Sequence, residues 1–209
     1  MAAPLHRPGK IVCVGKNYLD HVQEMGGHAP TEEPVLFLKP PSAVIGDGDA
    51  ILLPLQSQRV DYEGELVAVI GSRLRNASPQ AALGAVRGYC CGNDVTARDL
   101  QARDGQWTRA KGFDTFAVLG PHVVEGLDVS DLALTTRVNG DVKQSSRTSL
   151  LITPVAELIA FISSVMTLEP DDIVYTGTPA GVGALSAGDV VEVEIEGIGV
   201  LRNPVMAQS

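Results

Sequence analysis

The chain has 209 residues, 44% of them hydrophobic and 20% charged, the balance of a globular protein able to bury a sizeable core. Its 16 basic and 25 acidic residues leave a formal net charge of -9, so the surface repels phosphate backbones and anionic lipid. Neither nucleic acid nor a membrane is an expected partner, whereas local basic residues can still bind an acidic metabolite.

No polar linker or repeat divides residues 1–209, so one domain is expected. The first ten residues lack an apolar signal region and no uninterrupted apolar run of about 18 residues follows, which implies a cytoplasmic protein. Short apolar runs bounded by Gly, Pro and Asp predict strands at 11–14, 35–38, 51–53, 66–70, 88–91, 116–119, 132–138, 173–176 and 190–195. Cys13, Cys90 and Cys91 match no zinc or redox spacing and read as buried small hydrophobes; the adjacent pair would face opposite sides of a strand.

Residues 17–25 can form a short helix that stacks His21 and Glu24 at i and i+3. A carboxylate beside imidazole raises its basicity and fixes its tautomer, as a general base acting on water requires; a surface helix with an incidental ion pair is the other reading. The polar, glycine-hinged stretch that follows has the character of a lid over about 17–34.

Glu63 and Glu65 lie one residue apart before an unbroken apolar run, Leu66-Val67-Ala68-Val69-Ile70, that predicts a strand covered on both faces. Side chains at i and i+2 share a face, so two like charges converge in an apolar setting and need a cation or a shared proton. Asp94, at the end of the next apolar stretch, can complete an all-oxygen site suited to Mg²⁺, Mn²⁺ or Ca²⁺. Glu192, Glu194 and Glu196 alternate with apolar residues instead, which predicts a strand with its acids in solvent.

A helix is predicted from Thr96, with Asp99 as its capping-box partner, projecting Arg98 and Gln101 from one face. Beside a metal, Arg98 becomes a clamp for a substrate carboxylate; elsewhere it is a solvated helix arginine. Lys111 is either a surface lysine or a cation that balances the acids. Thr153 as N-cap with Pro154 at the first helical position predicts a helix packed through Val155, Leu158, Ile159, Ile162, Val165 and Met166. Thr176-Gly177-Thr178-Pro179-Ala180-Gly181-Val182-Gly183 demands tight turns or a close backbone approach, and matches no phosphate-binding or dinucleotide motif.

Together the segments Val14-Gly15-Lys16-Asn17-Tyr18, Phe37-Leu38-Lys39-Pro40, Tyr62-Glu63-Gly64-Glu65-Leu66, Asn93-Asp94-Val95-Thr96-Ala97-Arg98-Asp99, Lys111-Gly112-Phe113-Asp114 and 176–183 resemble the fumarylacetoacetate hydrolase family. The similarity is to its short acylpyruvate hydrolase and oxaloacetate decarboxylase branch, without the extra N-terminal domain of the long fumarylacetoacetases. The resemblance implies a mixed α/β, β-rich rolled sheet with few helices, as one catalytic domain assembled into a homodimer. It implies Glu63, Glu65 and Asp94 as ligands to Mg²⁺ or Mn²⁺, with Lys111 beside them. Arg98, Gln101 and Thr178 are the implied substrate contacts, and His21 and Glu24 the catalytic dyad on the lid; Lys39 receives no chemical role. The implied reaction is hydrolysis of acylpyruvates such as fumarylpyruvate to pyruvate and a carboxylic acid, or decarboxylation of oxaloacetate, with the metal as electron sink. Isomerisation or decarboxylation of 2-hydroxy-dienoates from aromatic catabolism is the nearest alternative, and a noncatalytic metal-binding protein is a further one.

Overall fold

The computed structural model describes residues 8–26 and 33–208. Its strands are β1 (Ile11–Gly15), β2 (Val35–Lys39), β3 (Val44–Ile45), β4 (Ile51–Leu53), β5 (Val60–Tyr62), β6 (Gly64–Ile70), β7 (Val86–Asp94), β8 (Thr96–Ala97), β9 (Ala117–Val124), β10 (Ala133–Val138), β11 (Asp141–Arg147), β12 (Ile173–Tyr175), β13 (Gly183–Ala184), β14 (Val190–Ile195) and β15 (Gly199–Ala207). The helices are α1 (Leu19–Glu24), α2 (Pro79–Gly84), α3 (Arg98–Asp104), α4 (Thr108–Lys111) and α5 (Val155–Val165). The fold is mixed α/β and strand-rich, as expected. No helix among the described residues is long and apolar enough to cross a membrane.

A seven-stranded mixed sheet, in the order β2-β1-β12-β6-β7-β9-β3, forms the centre. Strand β6 is buried at every position, which its uninterrupted apolar run requires. Leu66, Ala68 and Ile70 join one apolar cluster, whereas Val67 and Val69 join a second on the opposite face. Cys91 and Cys90 divide between the same two clusters, as their adjacency predicts, and all three cysteines are buried and free.

The smaller cluster lies inside a roll. Tyr175 on β12 donates to Val118 O on β9 at 2.8 Å, although β6 and β7 separate these strands. On a flat sheet they would stand ~14 Å apart, beyond the reach of a tyrosine, so the sheet curls over its own face. Gly92 makes room: a Cβ there would lie 2.7 Å from the Tyr175 ring and 2.4 Å from Val67 Cγ2.

A five-stranded sheet, β11-β10-β14-β15-β4, packs outside, and the small β13-β5-β8 sheet holds the start of the Glu63 segment. In β14 Val191, Val193 and Ile195 are buried while Glu192 and Glu194 are half-exposed, in ion pairs with Arg202 and Arg137.

Two helix starts differ from expectation. Thr96 pairs with Asp61 in β8 and donates to Asp94 O, so the helix begins at Arg98, and Asp99 binds Ser57 Oγ and the Gln58 N–H instead of closing a capping box. Thr153 gives its N–H to Asn17 Oδ1, which leaves Pro154 in the cap position and starts α5 at Val155. Val165 is 59% exposed and Met166 lies past the helix end, so the buried stripe is Val155, Leu158, Ile159 and Ile162.

Candidate active site

The carboxylates converge because three strand ends do. Glu63 sits at the step from β5 to β6, Glu65 is the second residue of β6, and Asp94 ends the neighbouring β7, where its N–H donates to Glu63 O. One oxygen from each of the three lies within 4.8 Å of the others, and all three residues are buried. They border a cavity of about 360 Å³, lined also by His21, Arg98, Gln101, Lys111 and Thr178.

Cations surround the acids unequally. Lys111, 2% exposed, donates to Glu63 Oε2 at 2.9 Å and Asp94 Oδ2 at 2.7 Å, and its ammonium lies 4.7 Å from the Phe37 ring centre. Arg98 donates from Nε to Asp61 Oδ2 (2.9 Å), from Nη1 to Gln101 Oε1 (2.7 Å) and from Nη2 to Glu63 Oε1. Lys39 contacts Asp94 Oδ1 at 2.7 Å as an ion pair outside hydrogen-bonding directions, so that oxygen has no hydrogen-bond donor.

Glu65 has no cation of its own; its oxygen accepts from the Gly177 N–H at 2.6 Å. Burial, with Asp94 and Glu63 close by, pushes its carboxyl well above the usual range. Burial also works against charge on Glu63, but Lys111 and Arg98 overcome it and hold that carboxyl well below the usual range. For Lys111 burial likewise opposes the charge, while Asp94 and Glu63 outweigh it and raise its pKa.

Of the four buried carboxylates at this site, Asp61 pairs with Arg98 and Arg59, Glu63 with Arg98 and Lys111, and Asp94 with Lys39 and Lys111, which leaves Glu65 as the one without a cation. Hard oxygen donors, the Asp94 oxygen without a hydrogen bond and the unbalanced Glu65 fit a small divalent ion. Glu63, Glu65 and Asp94, with one oxygen each inside a 4.8 Å span, are the residues that would hold such an ion.

Helix α1 lies over the cavity. Its His21 and Val22 are buried against the cavity while Leu19, Asp20, Gln23 and Glu24 are exposed. His21 Nδ1 is 3.4 Å from Glu24 Oε2, and Glu24 accepts the Gly181 N–H at 3.0 and 3.1 Å through its two oxygens. Residues 27–32 of the expected lid lie outside the described residues. The glycine-rich loop makes the predicted close approaches: Cβ atoms at Gly177 and Gly181, both at positive φ, would lie 2.7 Å from Asn17 Cβ and 2.1 Å from Lys143 O.

Sequence reasoning missed three buried polar residues that support this site. Lys39 is fully enclosed and donates to Val95 O, Lys111 O and Phe116 O, tying together the strand ends around Asp94. Asp61, 0% exposed, holds Arg98 and is bound by Arg59. Gln144 reaches in from β11. For Lys39 and Asp61 a charged residue beside an apolar stretch was the available signal, whereas Gln144 falls in no predicted strand, and the partners that matter lie far away in sequence.

Residues 10–206 match the fumarylacetoacetate (FAA) hydrolase C-terminal family. The mitochondrial oxaloacetate tautomerase FAHD2A of Bos taurus is 45% identical over 216 residues, covering 98% of this chain and 68% of the relative. A crystal structure of 2-hydroxyhepta-2,4-diene-1,7-dioate isomerase from Mycobacterium marinum superposes with a TM-score of 0.91 at 48% identity, covering 100% of this chain and 78% of that one. Fumarylpyruvate hydrolase from Pseudomonas aeruginosa, in complex with Mn²⁺ and pyruvate, gives a TM-score of 0.91 at 36% identity, covering 96% and 91%. With the family match spanning nearly all of its length and the acidic cluster in place, the chain belongs to the fumarylacetoacetate hydrolase family.

Proposed function

We propose that this protein is an acylpyruvate hydrolase of the fumarylpyruvate type, using Mg²⁺ or Mn²⁺ held by Glu63, Glu65 and Asp94. The observation that carries the reading is His21, backed by Glu24 on the docked α1, lining the same cavity as the three carboxylates. A divalent ion there supplies a Lewis acid that polarises the oxygens of a 2-oxo carboxylate.

The protein's own groups account for the remaining steps. Arg98 carries five N–H groups and spends three on Asp61, Gln101 and Glu63, which leaves two for a substrate carboxylate. Glu24 faces His21 Nδ1, so Nε2 is the nitrogen that takes a proton from water. The hydroxide adds to the 4-carbonyl of an acylpyruvate, the C3–C4 bond breaks, and its electron pair passes into the enolate of pyruvate. Lys111 has one N–H beyond its two carboxylate bonds to stabilise the developing oxyanion. The His21 imidazolium returns its proton to C3, so one acylpyruvate and one water give pyruvate and a carboxylic acid.

A second reading, tautomerisation or isomerisation of a 2-oxo acid, needs only the proton transfer at C3. Relatives so named are more similar, at 45% and 48% identity, than the hydrolase at 36%. Decarboxylation of oxaloacetate uses the same electron sink without water. The reading also includes one catalytic domain with a lid over 17–34 and a homodimer, the latter checked by light scattering.

The test combines pyruvate release and loss of enol absorbance across fumarylpyruvate, shorter acylpyruvates, oxaloacetate and 2-hydroxy-dienoates, in Mg²⁺, Mn²⁺ and EDTA. Metal-dependent pyruvate release from an acylpyruvate is expected, with Glu63→Ala inactive and His21→Ala slower by about 10²–10⁴-fold. Enol conversion without pyruvate would select the second reading, and turnover of none of these acids would leave a noncatalytic metal-binding protein.

A further inference from the structure

Strand β11 is an exposed edge strand with one buried side chain, and that side chain is polar: Gln144 is 1% exposed between solvent-facing neighbours. An amide buried from an edge strand needs a reason, since Gln is among the residues usually left in water. Its partners supply one. Gln144 Oε1 accepts the N–H of Gly64 at 2.9 Å, between Glu63 and Glu65, while Nε2 donates to Thr178 Oγ1 and to Pro179 O, both at 2.8 Å. A methyl group on Gly64 would stand 3.2 Å from that Oε1 and 2.0 Å from Thr136 Oγ1, so the segment fits closely against the outer sheet.

The Thr178 hydroxyl has a single proton, and it goes to Gly64 O at 2.9 Å. With Gln144 donating from the other side, the hydroxyl has no proton left for an anionic substrate. The backbone N–H of Thr178 is different. Thr178 is 4% exposed and lines the cavity, and among the described residues its N–H donates to no protein acceptor, whereas the preceding Gly177 N–H binds Glu65. A buried N–H without an acceptor is rare, and Thr178 belongs to the lining of the cavity proposed to hold a substrate carboxylate.

We propose that Gln144 is a positioning residue: by locking the Thr178 hydroxyl, it presents the Thr178 backbone N–H to the substrate carboxylate and keeps that hydroxyl from substrate. Gln144 does not line the cavity, so its effect passes through Thr178. This rests on the 2-oxo acid reading above.

The test is a double-mutant cycle with Gln144→Met and Thr178→Ala, singly and together. KM and kcat are measured on the acid turned over best, pyruvate affinity of the Mn²⁺-loaded protein by calorimetry, and Tm by scanning fluorimetry. Each single change should raise KM and the pyruvate Kd roughly 10- to 100-fold with kcat altered far less, and the double variant should be no worse than either single one. Where Gln144→Met does not fold, the cycle is run with Gln144→Asn, which keeps an amide but is one methylene too short to span Gly64 and Thr178. Multiplicative effects, or a lowered Tm with KM and Kd unchanged, would overturn the proposal. A parent that turns over 2-oxo acids but shows additive variants overturns this inference alone; a parent without turnover or pyruvate binding overturns the functional reading and this inference with it.

Discussion

Glu63 and Glu65 are neighbours in one buried segment and share a proposed metal, yet the protein treats their charges oppositely. Glu63 is ion-paired to Lys111 and Arg98, whereas Glu65 has only a backbone N–H. Removing one partner from a buried pair leaves the other uncompensated at a cost of about 3–5 kcal/mol, while neutralising an unbalanced buried charge costs little. Lys111 and Arg98 keep Asp94 and Asp61, so in EDTA Glu63→Gln should lower stability by only about 1.5–3 kcal/mol in urea melts, and Glu65→Gln should leave it unchanged or raised. Both variants should lose divalent affinity by calorimetry. Equal destabilisation of the two would refute the charge assignment. Lys39→Met belongs to the same argument. It strands three carbonyl oxygens and leaves Asp94 Oδ1 without its cation, so a loss of about 3–5 kcal/mol is expected even without metal. The acids were legible in the sequence because charge beside an apolar run is incongruous. The role of Lys39 was not, because one lysine in a strand carries no mark of the three carbonyls that converge on it.

At the scale of elements, α1 is held over the cavity by a loop that only glycine can build. Gly181 has φ +99, its N–H is bound by Glu24, and a Cβ there would lie 2.1 Å from Lys143 O on β11. Gly181→Ala must displace either the loop or the strand, and the Glu24 carboxylate loses its seat with it. We expect kcat to fall at least tenfold while divalent affinity stays within about twofold of the parent, because the three carboxylates lie on other strands. Unchanged kcat would show that α1 docks without this latch. The close approach was readable from glycine spacing, but its partner strand was not. β11 has an exposed edge and no apolar alternation, and β15 carries Arg202 and Pro204 within a run that otherwise pairs normally. Thr96 and Thr153 have the composition of helix caps, but the Thr96 hydroxyl donates to Asp94 O two residues back and the Thr153 N–H donates to the distant Asn17 Oδ1.

The whole molecule turns on a sheet curled tightly enough to enclose a second apolar cluster, and that enclosure has a signature in alkali. Strand content was foreseeable from short apolar runs, whereas the roll was expected only through the family resemblance, since curling depends on Tyr175 crossing the space left by Gly92. Cys90 lies inside the roll, and burial pushes its thiol up to about 12, with Cys13 and Cys91 also raised. A folded-state pKa above the unfolded value means that the folded protein keeps protons the unfolded chain gives up. The stabilisation is therefore complete below the unfolded thiol pKa, near pH 9, and is lost as pH rises towards 12. Each such thiol should steepen the fall in unfolding free energy by about 1.4 kcal/mol per pH unit across that window. Urea melts at pH 8, 9, 10 and 11 should then show a level stability followed by a decline, and an aromatic disulfide reagent at pH 8 should titrate three thiols in urea and none in the native protein. Thiols that react in the folded state at pH 8 would mean that the roll opens readily, and the level region below pH 9 would carry no information about its interior.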